Sequence, residues 1–172
     1  VVLDLGANTK LDSRYLVENS ILGASLASIL FKIDNPSIGL LNVGIEDNKG
    51  KEEIKLASDQ LKELSNNFRL NYYGYVEGND ISVGKTNVVV TDGFTGNISL
   101  KTAEGTAKLF QSHLEDAFKS SISSKMGYFL SSLAMKSVRD RLDPRVHNCG
   151  ILMGLNSLAV KCHGQSEYKG VS

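Results

Sequence analysis

The sequence predicts an α/β fold with a parallel sheet covered by helices, and two observations predict it. Short apolar runs that read as strands alternate with segments of helical period. The runs are bounded by Gly, Asn or Asp and are apolar almost throughout, as strands buried on both faces are. Such alternation is the pattern of βαβ units. The predicted strands are VVLDL (1–5), IGLLNV (38–43), NYYGYV (71–76), NVVVTD (87–92) and SLAVKC (157–162). Helices are predicted at 12–32, 51–66 and 97–121, the first with Tyr15, Ile21, Leu22 and Leu26 near helical spacing. Val1-Val2-Leu3 reads as the middle of a strand and the chain stops after the polar HGQSEYKGVS, so a C-terminal fragment of a longer protein is expected.

Length and composition narrow the function classes. A chain of 172 residues, 41% apolar, with 19 basic and 19 acidic side chains, has the size of one globular domain and buries about 70% of its unfolded surface. Disorder and purely electrostatic nucleic-acid binding are disfavoured. Residues 1–86 carry a net charge of −3 and residues 87–172 a net +3, so the later half suits an acidic partner. Two cysteines, Cys149 and Cys162, make no disulfide framework or metal cluster, and a reducing cytoplasm is expected. The apolar stretch ILGASLASILFKI (21–33) is shorter than the roughly 20 residues of a membrane-spanning helix.

Residues 120–142, SSISSKMGYFLSSLAMKSVRDRL, depart from the alternating pattern, because they follow a complete helix with no strand between. Met126, Tyr128, Phe129, Leu130, Leu133 and Met135 stand there beside Lys125, Lys136, Arg139 and Arg141, which suggests a projecting helical pair bent at Gly127. It can pack on its own domain, form a subunit interface, or rest an apolar tip on a membrane surface.

In open parallel sheets ligands bind beyond the carboxyl ends of the strands. Four loops there combine glycine with hydrogen-bonding groups: Asp4-Leu5-Gly6-Ala7-Asn8, then Gly44 to Lys51 with Lys49, then Asp92-Gly93-Phe94-Thr95-Gly96-Asn97, and His163-Gly164-Gln165-Ser166. Glycine admits a ligand close to the backbone, and a helix starting after the loop aims free N–H groups at the same place. An anion, most simply phosphate, is the implied ligand. Neither G-x-G-x-x-G nor G-x-x-x-x-G-K-[ST] is present, so no dinucleotide or nucleoside triphosphate fingerprint is found. Each loop also has a structural reading: Asn97 as a helix N-cap, Asp4 and Asp92 as turn-fixing residues, Lys49 as part of a solvated charge cluster, and His163 as a backbone hydrogen-bonding group.

LDLGAN (3–8), GLLNVG (39–44) with Lys49-Gly50, NYYGYVEGNDI (71–81), VVVTDGFTGNISLKTAEGTA (88–107) and LMGLNSLAVKCHG (152–164) resemble, in the same order, the phosphate acyltransferase family, PlsX. The resemblance covers essentially the whole chain. It implies a three-layer α/β/α sandwich, similar to phosphate acetyltransferases and isocitrate dehydrogenase-type enzymes. The implied activity makes acyl phosphate from fatty acyl-acyl carrier protein and inorganic phosphate for phospholipid synthesis, in a cytoplasmic homodimer peripherally associated with the membrane. A further strand-helix region with a DAMGGD-like loop is implied ahead of residue 1. The family's implicated lysine falls on Lys49 and its asparagine on Asn97. Asp4, Gly6, Asn8, Asp92, Gly93, Thr95, Gly96, His163 and Gly164 are the matching phosphate-site positions. Departures are a segment about three residues longer around Asn66-Asn67-Phe68, Lys51 where an amide is frequent, and His147-Asn148-Cys149 for Tyr-Gly-Gly.

The chemistry suits these residues. Phosphate is already anionic and a thiol leaving group has a pKa of about 8.5, so no strong general base, Ser-His-Asp arrangement, metal or cofactor is called for. What is needed is an anion cradle and donors for the tetrahedral oxyanion. Two other readings stay open: a phosphotransacetylase-like enzyme using acyl-coenzyme A, and a non-catalytic anion-binding fragment.

Overall fold

The computed structural model describes residues 1–142 and 149–162. The chain divides into two compact units, Val1–Leu100 and Lys101–Ser172.

In the first unit β1 (Val2–Leu3), β2 (Ile38–Leu41), β3 (Tyr72–Val76) and β4 (Val88–Val90) form one parallel sheet in the order β1-β4-β2-β3. The helices are α1 (Ser13–Phe31), α2 (Glu52–Phe68), α3 (Gly78–Val83) and the start of α4 (Gly93–Lys119). Successive strand side chains point to opposite faces, and the burial follows that alternation. Ile38, Leu40, Val88 and Val90 pack with Leu16 and Ala27 of α1 and Ala57 and Leu61 of α2. Leu41, Val76 and Val89 pack on the other face with Val2 and with Ile81 of α3. Helices therefore stand on both faces of the sheet, the three-layer arrangement expected.

The buried stripe of α1 is not the large apolar one. Leu16, Ser20, Gly23 and Ala27 face the sheet, while Ile21 is exposed. Close approach explains the choice, because a Cβ on Gly23 would lie 2.6 Å from Val88 Cγ1. Asp12 fixes the start of this helix by accepting from Arg14 N at 3.0 Å and Tyr15 N at 3.4 Å. The short α3 was not predicted; Asp80 in its first turn accepts from Glu77 N at 2.9 Å, and Gly84 closes it at φ 66°.

The second unit contains most of α4, α5 (Ile122–Leu130), α6 (Ser132–Leu142) and an antiparallel pair, β5 (Cys149–Leu152) and β6 (Ala159–Cys162). The helical pair expected over 120–142 is present, but it breaks at Ser131, whose N–H returns to Gly127 O at 3.0 Å, rather than at Gly127. The run at 157–162 was expected in the parallel sheet; it pairs instead with β5, Gly150 opposite Lys161. Phe118 and Tyr128 meet at a tilt of 56° with centroids 5.1 Å apart, and Arg139 bonds Glu115 at 2.9 Å, holding α5 and α6 to α4.

Candidate active site

Because β4 is inserted between β1 and β2, the loops leaving these three strands are neighbours at the carboxyl edge of the sheet. The first is organised by Asp4, whose backbone N–H still bonds Thr91 O at 3.0 Å. The residue is 3% exposed. One carboxylate oxygen accepts from Gly6 N and Ala7 N, both at 2.8 Å, and the other from Asn8 N at 2.7 Å and Tyr15 Oη at 2.6 Å. Burial opposes ionisation, but the Tyr15 hydroxyl and the three N–H groups outweigh it and hold the carboxyl below its ordinary range. Burial and the Asp4 carboxylate in turn push the Tyr15 hydroxyl up. Gly6 turns the loop at φ 129°, a backbone conformation that glycine adopts without penalty.

The second loop is capped by Asp92, which accepts from Thr95 N at 2.9 Å and Thr95 Oγ1 at 2.7 Å. Helix α4 therefore starts at Gly93, four residues before the expected Asn97, and Asn97 is not its N-cap. The consequence is chemical. Gly93 N bonds Asn8 O at 2.8 Å and Gly96 N bonds Asp92 O at 2.9 Å, so with Thr95 N these N–H groups are committed within the protein. The expected cradle of free N–H groups is reduced accordingly. Asn97 sits one turn into the helix, exposed, over the β1 loop: a Cβ on Gly6 would lie 3.7 Å from Asn97 Cγ and 3.8 Å from Nδ2.

Glycines make that approach possible. A Cβ on Gly93 would lie 2.7 Å from Asn8 O, and one on Gly96 would collide with Asp4 O. In the third loop, Lys49 is exposed, its N–H bonds Glu46 O at 3.0 Å, and its carbonyl accepts from Asn42 Nδ2 at 3.2 Å. The structure thus interlocks the β1 loop, carrying Asp4, Gly6 and Asn8, with Asp92 and the first turns of α4, carrying Gly93, Thr95, Gly96 and Asn97, and the loop of Lys49 leaves the strand beside them. The contacts of the Asp4 and Asp92 carboxylates go to their own loops and to Tyr15, so each organises the backbone around it. His163 and Gly164 lie outside the described residues, as does His147. Two contributors were missed. Tyr15 carries no local signal, whereas Asn42 carries one, being the amide that ends the fully buried run IGLL.

Among the described residues no cluster of three or more His, Cys, Asp or Glu side chains is arranged to hold a metal, and no helix is long and apolar enough to cross a membrane.

An open parallel sheet with helices on both faces, and polar glycine-bearing loops gathered at its carboxyl edge, defines an α/β protein of the doubly wound class. Within that class, the family described as "Fatty acid synthesis protein" matches residues 1–172, and the chain belongs to it, the phosphate acyltransferase family of the motifs above. A relative named phosphate acyltransferase from Azorhizobium caulinodans is 47% identical over 170 residues, covering 99% of this chain and 48% of its own length. Relatives of the same name from Paramagnetospirillum magneticum and Beijerinckia indica subsp. indica are 47% and 46% identical, covering 99% and 100% of this chain and 48% and 44% of theirs. The chain therefore spans about half the length of the curated relatives it matches. Among solved structures, the EutD phosphotransacetylase from Staphylococcus aureus is similar at a TM-score of 0.48 and 17% identity, over 62% of this chain and 38% of that one.

Proposed function

We propose that this chain serves acyl transfer from a fatty acyl-acyl carrier protein thioester to inorganic phosphate, forming acyl phosphate for phospholipid synthesis. The observation that carries the reading is the interlock of the β1 and β4 loops, which holds the Asn97 amide over the Gly6 backbone beside the loop of Lys49. A phosphate oxygen attacks the thioester carbonyl, a C–O bond forms, and collapse of the tetrahedral oxyanion breaks the C–S bond. The thiolate leaves and takes a proton from solvent. Lys49 offsets the charge of phosphate and Asn97 donates to phosphate or to the oxyanion. Asp4 and Asp92 keep the loops in place, with Gly6, Gly93, Thr95 and Gly96 forming the backbone beneath. Leu5 after Asp4, Val43 after Asn42 and Phe94 two residues after Asp92 are each exposed and provide apolar contacts suited to a lipid chain.

The test is acyl phosphate formation by the intact protein, with phosphate omitted as control and acyl carrier protein compared with coenzyme A as donor. Lys49→Ala and Asn97→Ala are each expected to lose about 10²-fold or more in kcat/KM with folding intact; full activity in both refutes the site.

The same reading gives α5 and α6 a peripheral membrane contact in a homodimer. Ile122, Met126, Phe129, Leu130 and Leu133 are exposed, with Phe129 at 79% and Leu133 at 84%, beside exposed Lys125 and Lys136. Apolar insertion ringed by cations favours anionic lipid. Lys125→Glu with Lys136→Glu should weaken co-sedimentation with phosphatidylserine vesicles, and unchanged sedimentation refutes the assignment. Arg139 is a poorer probe because it is paired with Glu115.

A further inference from the structure

Asn42 stands where β2 ends, and its backbone N–H still bonds Val76 O of β3 at 2.9 Å. The residue is therefore fixed to the sheet. Its side chain is buried, 7% exposed, beneath a loop in which Val43, Ile45, Glu46, Asp47, Asn48 and Lys49 are all exposed. The amide has one hydrogen bond, from Nδ2 to the carbonyl of Lys49 at 3.2 Å, while Oδ1 is buried with no partner. Gly50 closes over it at φ 87°, and a Cβ on Gly50 would strike Asn42 Oδ1 and lie 2.7 Å from Cγ.

An unpaired buried carbonyl oxygen is costly, and a leucine, with the same branched skeleton and no polar atom, would avoid that cost. The amide's donor has a defined use instead: it holds the residue that carries the exposed amine. The other ties of this loop are the turn bond from Lys49 N to Glu46 O and an exposed Lys62–Asp47 pair at 3.3 Å, which is weak in water. Fixing the Lys49 carbonyl limits where its side chain can reach, and a displacement of about 1 Å at a reacting group can cost 10²-fold.

We propose that Asn42 is the positioning residue for Lys49, anchoring the Lys49-Gly50 turn to the end of β2 so that the amine is held toward the phosphate site. The proposal rests on the functional reading of Lys49 above. The test measures inorganic phosphate affinity by calorimetry on the intact protein for wild type, Asn42→Ala, Lys49→Ala and the double variant, with Asn42→Leu as a second variant that keeps the branched side-chain skeleton but no hydrogen-bonding atom. Asn42→Ala and Asn42→Leu are expected to weaken phosphate binding about tenfold, with KM for phosphate rising in step and KM for the acyl donor unchanged. The double variant is expected to bind no more weakly than Lys49→Ala alone, since Asn42 acts through that side chain. Losses that add in the double variant, or unchanged affinity in both Asn42 variants, overturn the proposal while leaving Lys49 in its role. Unchanged affinity in Lys49→Ala overturns the site reading itself, and the positioning role with it.

Discussion

Gly96→Ala and Gly105→Ala make the same substitution in the same helix, and the structure predicts opposite outcomes. Alanine is favoured over glycine in a helix interior by about 1 kcal/mol. At Gly105 nothing lies within 4 Å of the added Cβ, so that gain is realised. At Gly96 the Cβ meets Asp4 O, with Asp4 C and Thr91 Cγ2 both at 3.0 Å. Backbone and a buried threonine cannot rotate away, so the cost lies toward the upper end of the roughly 1–3 kcal/mol typical of overpacking. After the helix gain, Gly96→Ala is destabilised by about 2 kcal/mol. At 2–4 °C per kcal/mol for a chain of this size, the midpoint falls by about 4–8 °C, whereas Gly105→Ala rises by about 2–4 °C. Thermal unfolding followed by circular dichroism reads both. A Gly96→Ala midpoint at or above wild type would falsify the interlock of α4 with the β1 loop.

Tyr15→Phe removes the hydroxyl donor to Asp4 and should cost about 1.5–3 kcal/mol, as for hydrogen bonds to charged groups. The Asp4 carboxyl binds its proton at lower pH in the folded chain than in the unfolded one, so its contribution is complete above the unfolded value of about 3.9 and is lost as pH falls through the folded value. The gap between wild type and Tyr15→Phe in urea unfolding should therefore be widest near neutrality and narrow on acidification; a gap independent of pH contradicts the assignment. Since Lys49 is exposed, the attraction for phosphate proposed for it would be screened by salt, with a Debye length of about 10 Å at 0.1 M. KM for phosphate should rise several-fold between about 0.05 and 0.5 M sodium chloride, and a flat profile removes Lys49 as the source of attraction.

The parallel sheet was legible because its strands are almost wholly apolar and β-branched, a pattern with few alternatives once helical segments separate them. The face of α1 was not, since hydrophobicity favours Ile21 and Leu22 whereas close packing over Val88 requires Gly23. For the same reason the true start of α4 at Gly93 was not legible. Gly93 and Gly96 read locally as a loop, and only contact with Asn8 and Asp4 shows that their missing side chains let the helix begin there. Residues 157–162 misled differently, because a short apolar run does not distinguish a buried parallel strand from a hairpin in which Leu158 and Val160 are exposed.

The candidate site was legible as a set of loops but not as a division of labour among their residues. Glycine with Asp, Thr and Asn beyond a strand signals hydrogen bonding without saying which groups remain available. Asp4 receives four hydrogen bonds and Asp92 receives two from Thr95, so both carboxylates are used in holding backbone. Committing the N–H groups of Gly93, Thr95 and Gly96 weakens the helix terminus as an anion site, since a dipole end acts largely through those unpaired donors. In the proposed function, attraction for phosphate then comes more from side chains than from the α4 backbone. Asn97 stands on a helix braced against the β1 loop, whereas Lys49 stands on an exposed loop pinned from below by Asn42. The interlocked glycines and the buried amide thus have equivalent tasks, each fixing the backbone that carries one exposed polar side chain.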